Sequence, residues 1–172
     1  YGLDETRRMC IAGLVRPPLV VRPNALRTTA ELLVERLQRE GVEARTTGDG
    51  WVEMQSAGSM MGLAAFREGW FQPQDRTAGE VARRRDVRPG QVVVDTCAGR
   101  GTKATQLAER MNDQGIVIAS DKEQWRLDLL TENCKRLGIE SIRCVRPEQL
   151  AKAVADAGGA DWVLVDVPCS NT

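Results

Sequence analysis

Residues 91–121, which read QVVVDTCAGRGTKATQLAERMNDQGIVIASD, carry the clearest pattern of secondary structure in the chain. The two apolar runs, at 91–96 and 115–120, are typical of parallel strands that are covered on both faces. A glycine-containing loop and a segment at 102–111 with a helical pattern lie between them. This order of strand, loop, helix and strand indicates an open α/β sheet.

The same alternation continues toward the C-terminus. It predicts helices at 124–137 and 148–157, and strands at 141–145 and 161–167. The helix at 124–137 is expected to carry one apolar side, formed by Trp125, Leu129, Leu130, Cys134 and Leu137. Four strands separated by three helices predict a doubly wound, Rossmann-like parallel α/β sheet.

The first 70 residues have a different order of predicted elements, which indicates a small α+β module. We expect a strand within 17–24, a helix at 30–39 capped by Thr28 or Thr29, a strand at 42–45 and a turn at 47–50. Residues 56–66 favour no single structure. We therefore divide the chain into an N-terminal module at 1–75 and an α/β domain at 76–172.

Composition excludes several kinds of chemistry. The 172 residues balance 24 Lys and Arg against 24 Asp and Glu, and they include no His. Triads built on His and His-ligated metal sites are therefore excluded. The five cysteines form no CxxC pair, which favours reduced thiols and predicts no metal site. No long apolar run or signal peptide is present, so we expect a cytoplasmic protein without a membrane partner.

The loop after the first strand is a candidate binding site. Gly99 and Gly101 allow a tight turn and a close approach of a ligand, and the loop leads into a helix N-terminus that attracts anionic groups. A GxG pattern alone also occurs in ordinary turns. The P-loop pattern is absent, although Lys103 is present.

Asp121 is placed to complete this site, because it follows the second strand, 20 residues after Gly101. An acid there binds ribose hydroxyls in dinucleotide-type folds, or caps the next helix. The loop does not separate a nicotinamide cofactor from S-adenosylmethionine, since Ala104 is tolerated as the third residue of the glycine fingerprint. The fourth strand ends in Asp166-Val167-Pro168-Cys169, which brings an acid and a thiol to the same edge of the sheet.

Three segments, at 95–109 (DTCAGRGTKATQLAE), 119–139 (ASDKEQWRLDLLTENCKRLGI) and 161–172 (DWVLVDVPCSNT), together resemble the Sun/RsmB-type RNA cytosine-5 methyltransferases. Residues 66–75 resemble the family's segment before the catalytic domain, and 22–41 are similar to its small N-terminal module. The family loop usually reads Cys-Ala-Ala-Pro-Gly-Gly-Lys-Thr, whereas this chain has Arg100 and Thr102 in place of the proline and the second of those glycines.

The resemblance implies methyl transfer from S-adenosylmethionine to C5 of cytosine in rRNA or tRNA. Asp121 would hold the ribose, Asp166 would lie between cofactor and base, and Cys169 would assist product release. The residues expected around the methionine end of the cofactor are Cys97, Ala98, Gly99, Arg100, Gly101, Thr102 and Lys103. The family's nucleophilic cysteine lies on the next strand, after Thr172. We therefore expect an incomplete, four-stranded sheet, and no turnover by this chain alone.

RNA is the expected partner. Residues 76–103 carry an excess of basic side chains that could contact phosphates or could form a solvated helix face. Two alternatives stay open on the sequence. One is a methyltransferase that acts on protein, DNA or a small molecule. The other is a catalytically inactive relative that binds cofactor or RNA.

Overall fold

A computed structural model describes residues 2–14, 19–55 and 59–167 of the chain. These residues form two four-stranded sheets, one antiparallel and one parallel. A first helix, α1 (Leu3–Leu14), precedes them and buries none of its residues. This helix was not predicted from the sequence. No helix in the described ranges is long and apolar enough to cross a membrane.

The N-terminal sheet has the order β2-β3-β1-β4, and all its neighbours are antiparallel. Its elements are β1 (Leu19–Pro23), α2 (Ala30–Arg39), β2 (Ala44–Thr46), β3 (Val52–Met54), α3 (Ala64–Arg67) and β4 (Phe71–Pro73), with a 3-10 turn at Met60–Gly62 before α3. This β-α-β-β-α-β arrangement is the ferredoxin-like one. Its core packs side chains of the sheet against α2, among them Val21, Leu33, Leu37 and Phe71.

Helix α2 has the predicted bounds, and Thr29 caps it by accepting a hydrogen bond from the Leu32 N–H. The predicted strand at 42–45 begins two residues too early. Gly41, at φ +78°, and Val42 donate their N–H groups to the last turn of α2, so Val42 belongs to the helix cap. The short strands β3 and β4 were not predicted. Residues 56–58 lie outside the described ranges.

The second sheet is parallel throughout, in the order β7-β6-β5-β8. Its elements are β5 (Val92–Asp95), α5 (Thr102–Arg110), β6 (Ile116–Ser120), α6 (Gln124–Leu137), β7 (Ile142–Val145), α7 (Pro147–Asp156) and β8 (Trp162–Leu164). The doubly wound parallel sheet is therefore confirmed. The chain moves outward from β5 to β7 and then returns to pair β8 with the other side of β5. Ligands bind at the carboxyl ends of strands where the order reverses in this way.

The prediction for the apolar side of α6 was wrong at its N-terminal end. Trp125 is 49% exposed, whereas Leu127, Leu130, Cys134 and Leu137 are buried. These four follow the stripe of a helix with 3.6 residues per turn, and Trp125 lies about 200° away from Leu127 around the axis.

Helix α4 (Arg76–Arg83) links the two sheets and packs against α5. Asp75 caps it by accepting hydrogen bonds from the N–H groups of Thr77 and Ala78. The predicted division after residue 75 falls at the start of this helix, and it stays a prediction.

Candidate functional site

Three carboxylates lie at the carboxyl ends of three adjacent strands. Asp95 is the last residue of β5, Asp121 follows β6, and Asp166 lies two residues after β8. The parallel register pairs Asp95 with Ala119 on one side and with Leu164 on the other. The sheet therefore brings the two predicted acids to either side of Asp95.

The loop between β5 and α5 is held by its own backbone N–H groups. The Ala98 N–H donates to the Ser120 carbonyl at 2.9 Å, and the Gly99 N–H donates to Asp121 Oδ2 at 3.0 Å. The Gly101 N–H donates back to the Ala98 carbonyl at 2.8 Å. The loop is thus fixed to the end of β6, and its glycines lie next to Asp121.

The two glycines of the loop have different roles. Both have a positive φ, +56° at Gly99 and +82° at Gly101. A Cβ on Gly101 would overlap Leu130 Cδ1 of α6, so this glycine allows α6 to pack against the loop. A Cβ on Gly99 would meet no atom of the described residues within 4 Å. The loop therefore faces open space at Gly99, where a ligand can approach the backbone.

The side chain of Asp121 is nearly buried, with 5% of its surface exposed. Its Oδ1 accepts the Glu123 N–H at 2.9 Å, and its Oδ2 lies 3.5 Å from Arg126 Nη1. The alternative that Asp121 caps α6 was wrong, because Glu123 holds the N-cap position. Each oxygen of a carboxylate has two lone pairs, so Asp121 can still accept hydrogen bonds from a ligand.

Lys103 connects the first turn of α5 to the end of β8. Its Nζ lies 2.5 Å from Asp166 Oδ2, and its side chain is 18% exposed. The Asp166 side chain is 48% exposed. The ammonium group thus neutralises one of the three acids and fixes it above the edge of the sheet.

Asp95 is a site residue that the sequence reasoning missed. It is 1% exposed, and the Cys97 N–H donates to its Oδ1 at 3.3 Å. Burial raises the pKa of this carboxyl from 3.8 to about 6. The hydrogen bond from Cys97 and the charge of Lys103 oppose this rise, while Asp166 and Asp121 add to it. The signal was present in the sequence, because Asp95 ends its apolar run just as Asp121 and Asp166 follow theirs.

The other predicted loop residues lie at the margin of the site. Cys97 is half-buried, and the Thr102 carbonyl accepts a hydrogen bond from Arg22 Nη1 at 2.9 Å. Arg100 is exposed, and its guanidinium carbon lies 5.9 Å from the ring centroid of Trp125. Cys169 falls outside the described residues.

The basic stretch at 76–103 is partly paired within the chain. Arg76 forms an ion pair with Asp49, Arg83 with Glu80 at 3.3 Å, and Arg88 with Asp86 at 2.7 Å. These contacts lower the positive charge that this surface presents to solvent.

Comparison with known proteins finds one family model for each part of the chain. The family model for the 16S rRNA methyltransferase RsmB/F matches residues 84–172, and the model for the RsmF/B-like ferredoxin-like domain matches residues 1–51. The chain is 32% identical to the probable ribosomal RNA small subunit methyltransferase B of Synechocystis sp., over 99% of this chain and 39% of the relative. It is 35% identical to the tRNA (cytosine(72)-C(5))-methyltransferase of Pyrococcus horikoshii, over 65% of this chain and 28% of the relative.

Solved structures agree with these matches. The crystal structure of PH0851 superposes with a TM-score of 0.84 at 28% identity, and the match covers 97% of this chain and 39% of that one. NSun6 from Pyrococcus horikoshii, solved with SFG, has the same fold, with a TM-score of 0.82 at 20% identity over 98% of this chain and 68% of that one. The chain spans about two fifths of the length of the curated relatives it matches.

The resemblance carried by the glycine loop, by the acid after β6 and by the segment after β8 is thereby confirmed across both sheets. The chain belongs to the RsmB/F family of 16S rRNA methyltransferases.

Proposed function

We propose that the loop at 97–103 binds S-adenosylmethionine, and that the protein to which this chain belongs transfers the methyl group to C5 of cytosine in RNA. The observation that carries the proposal is the contact between the Gly99 N–H and Asp121 Oδ2 at the carboxyl edge of the parallel sheet. It joins the loop and the acid into one site in a chain whose relatives are named rRNA and tRNA methyltransferases.

The charges at this edge fit S-adenosylmethionine better than a nicotinamide dinucleotide. The cofactor carries a sulfonium and an ammonium group, which the carboxylates of Asp95 and Asp121 attract. A dinucleotide carries two negative phosphates, which the same acids repel. The nearby Lys103 ammonium is already paired with Asp166, so it does little to offset the repulsion between the acids and the phosphates.

We assign the cofactor's contacts from the donors and acceptors that face the loop. Asp121 accepts hydrogen bonds from the ribose hydroxyls, through lone pairs that Gly99 and Glu123 leave free. The open side of Gly99 gives the methionine end access to the backbone. When bound, the cofactor supplies an electrophilic methyl group on its sulfonium sulfur.

Asp166 and Cys169 are the residues that we assign to the chemistry on the base. C5 of cytosine becomes nucleophilic only after a thiolate has added at C6, and the electron density that results extends to N3 and the exocyclic amine. Asp166, held by Lys103, accepts a hydrogen bond from the exocyclic amine and keeps the base in place. Cys169 assists release of the product, a role that rests on the family resemblance.

An exposed aromatic side chain beside the loop supports an RNA substrate. Trp125 lies with its ring centroid 5.3 Å from the guanidinium carbon of Arg126 and 5.9 Å from that of Arg100. Unpaired RNA bases stack on indole rings and on arginine planes. We also infer that the reaction takes place in the cytoplasm, where ribosomal and transfer RNA function.

The proposal is tested by incubating the full-length gene product with unmodified rRNA, with tRNA and with methyl-labelled cofactor, followed by mass spectrometry of the nucleosides. We expect label in 5-methylcytidine and at a single site. Label in another nucleoside, or in protein, would assign the enzyme to a different substrate class. No transfer to any substrate, combined with retained cofactor binding, would instead favour the inactive relative.

A further inference from the structure

Arg22 is a nearly buried guanidinium in the N-terminal sheet, and all but one of its side-chain hydrogen bonds go to α5, the first helix of the parallel domain. It belongs to β1 and is 6% exposed. Its Nε donates to Glu109 Oε2 at 3.1 Å, and its Nη2 donates to Glu109 Oε1 at 2.6 Å. This two-point pairing is the strongest geometry between arginine and a carboxylate, and it fixes the plane of the guanidinium.

The remaining N–H groups of Arg22 reach the start of α5. Nη1 donates to the Thr102 carbonyl at 2.9 Å and to Gln74 Oε1, while Nη2 donates to Thr105 Oγ1 at 3.1 Å. The five contacts account for all five N–H donors of the side chain. Thr102 is the first helical residue after the glycine loop, so Arg22 holds the point at which the loop becomes a helix.

A second group of contacts, buried or half-buried, holds α6 in the same way. Arg136 Nη1 donates to the carbonyls of Phe66 and Phe71, each at 3.0 Å, and Asn24 Nδ2 donates to the Leu137 carbonyl at 2.8 Å. Helix α6 in turn supports the loop, because Leu130 packs against Gly101. The N-terminal sheet is therefore fixed to both helices that bear on the loop.

We propose that Arg22 is a positioning residue for the cofactor site, through which the N-terminal module sets the conformation of the loop at 97–101. The inference rests on the proposed function, because the loop is the site assigned to S-adenosylmethionine. The role requires the five N–H donors of a guanidinium group, which are held in one plane. A lysine at this position would keep the charge opposite Glu109 but could not reach Glu109, Gln74, Thr102 and Thr105 together.

A purely structural role would give a different result from a positioning role. Loss of a buried ion pair that only stabilises the fold would increase local unfolding, and so amide hydrogen exchange, throughout the chain. Loss of a positioning contact would increase local unfolding mainly at the loop. The hydrogen-bonded N–H groups of Cys97, Ala98, Gly99 and Gly101 report on this difference directly.

The experiment compares the chain with Arg22→Lys and with the double variant Arg22→Met/Glu109→Met, which removes both charges so that neither is left buried alone. Arg36→Lys is the matched control. Arg36 belongs to the same module and contacts Glu40 at 2.9 Å and Glu68 at 3.1 Å. Amide hydrogen exchange is measured without cofactor, and the affinity for S-adenosylmethionine is measured by calorimetry.

We expect both Arg22 variants to exchange the loop amides about 10-fold faster and to bind the cofactor about 10-fold more weakly, while exchange in β2 and β3 stays unchanged. Arg36→Lys should show neither effect. Unchanged exchange at the loop, or an equal increase across both sheets, would overturn the inference. If the parent chain shows no cofactor binding while loop exchange rises as expected, the positioning role stands and the proposed function fails.

Discussion

The backbone N–H of Gly99 donates to Asp121 Oδ2 at 3.0 Å, although the two residues are 22 positions apart in the sequence. The contact joins the first glycine of the loop to the acid that follows the next strand. Asp121 therefore shapes the loop and also keeps lone pairs for a ligand. The loop and the acid are expected to respond together when either is changed.

Substitution of the two loop glycines should show that Gly101 is needed for packing against α6, whereas Gly99 is needed for cofactor binding. Gly101→Ala combines a positive φ with overlap on Leu130, and we expect it to lower the free energy of unfolding by about 2–5 kcal/mol. Gly99→Ala has the positive φ without the overlap and should cost about 1–2 kcal/mol. It should nevertheless weaken cofactor binding, because its methyl group enters the open space that the ligand uses.

Urea denaturation and calorimetry measure the two effects. Gly41→Ala is the control, since Gly41 has φ +78°, no neighbour within 4 Å of an added Cβ, and a position at the end of α2. If Gly101→Ala were no more destabilising than Gly41→Ala, the packing role of Gly101 would be wrong.

Asp95→Asn should stabilise the chain at neutral pH. Burial raises the pKa of Asp95 from 3.8 to about 6, so between about pH 4 and pH 6 the folded state binds more protons than the unfolded state. The stability of the parent chain therefore falls as the pH rises through this window and then levels off. The shift corresponds to about 3 kcal/mol at most.

Urea denaturation of both proteins at several pH values tests this prediction. We expect Asp95→Asn to exceed the parent chain in stability by about 2–3 kcal/mol at pH 8, and the difference to shrink steadily toward pH 4. A difference of the same size at pH 4.5 and at pH 8 would show that the carboxyl titrates in its ordinary range.

Changes at Lys103 and Asp166 should move the pKa of Asp95 in opposite directions. The Lys103 charge lowers this pKa and the Asp166 charge raises it. We therefore expect Lys103→Met to raise the pKa above its parent value and Asp166→Asn to lower it. Carbon-detected NMR titration of the Asp95 carboxyl group measures both shifts. A shift in the same direction in both variants would contradict the arrangement of charges at this edge.

Trp125→Ala should weaken RNA binding and leave cofactor binding unchanged. Stacking of a base on an aromatic side chain is worth about 1–3 kcal/mol, which corresponds to a loss of roughly 5- to 150-fold in affinity. Trp125→Phe should restore part of the loss, because it keeps an aromatic face. Fluorescence anisotropy of a labelled single-stranded RNA at constant salt gives the affinities. Equal affinities for the parent chain and Trp125→Ala would remove this surface from the RNA interface.

The parallel domain could be predicted from the sequence because its signals are local. The apolar runs of β5 and β6, the glycines between them and the helical stripe of α6 each lie within one short segment. The N-terminal module was harder, since β3 and β4 have three residues each and are defined by antiparallel partners in β1. Strands of that length give too little alternation to be recognised.

The site residues, too, could be predicted only where the signal lies within one short segment. Asp121 and Asp166 follow apolar runs and could be found by position, whereas the burial of Asp95 depends on strands on both sides of it. Arg22 could not be connected to the loop, because its partner Glu109 lies 87 residues away and belongs to α5. Only the packing of β1 against α5 brings these groups together.

Calorimetric titration of S-adenosylmethionine into the chain and into Asp121→Ala tests the central claim most directly, with a nicotinamide dinucleotide as the competing ligand. We expect the parent chain to bind S-adenosylmethionine in preference to the dinucleotide. We expect Asp121→Ala to lose about 1–3 kcal/mol of binding free energy, because the ribose hydroxyls would lose their acceptor. Equal affinity of the two proteins for S-adenosylmethionine, or a preference of the parent chain for the dinucleotide, would contradict the assignment of this site.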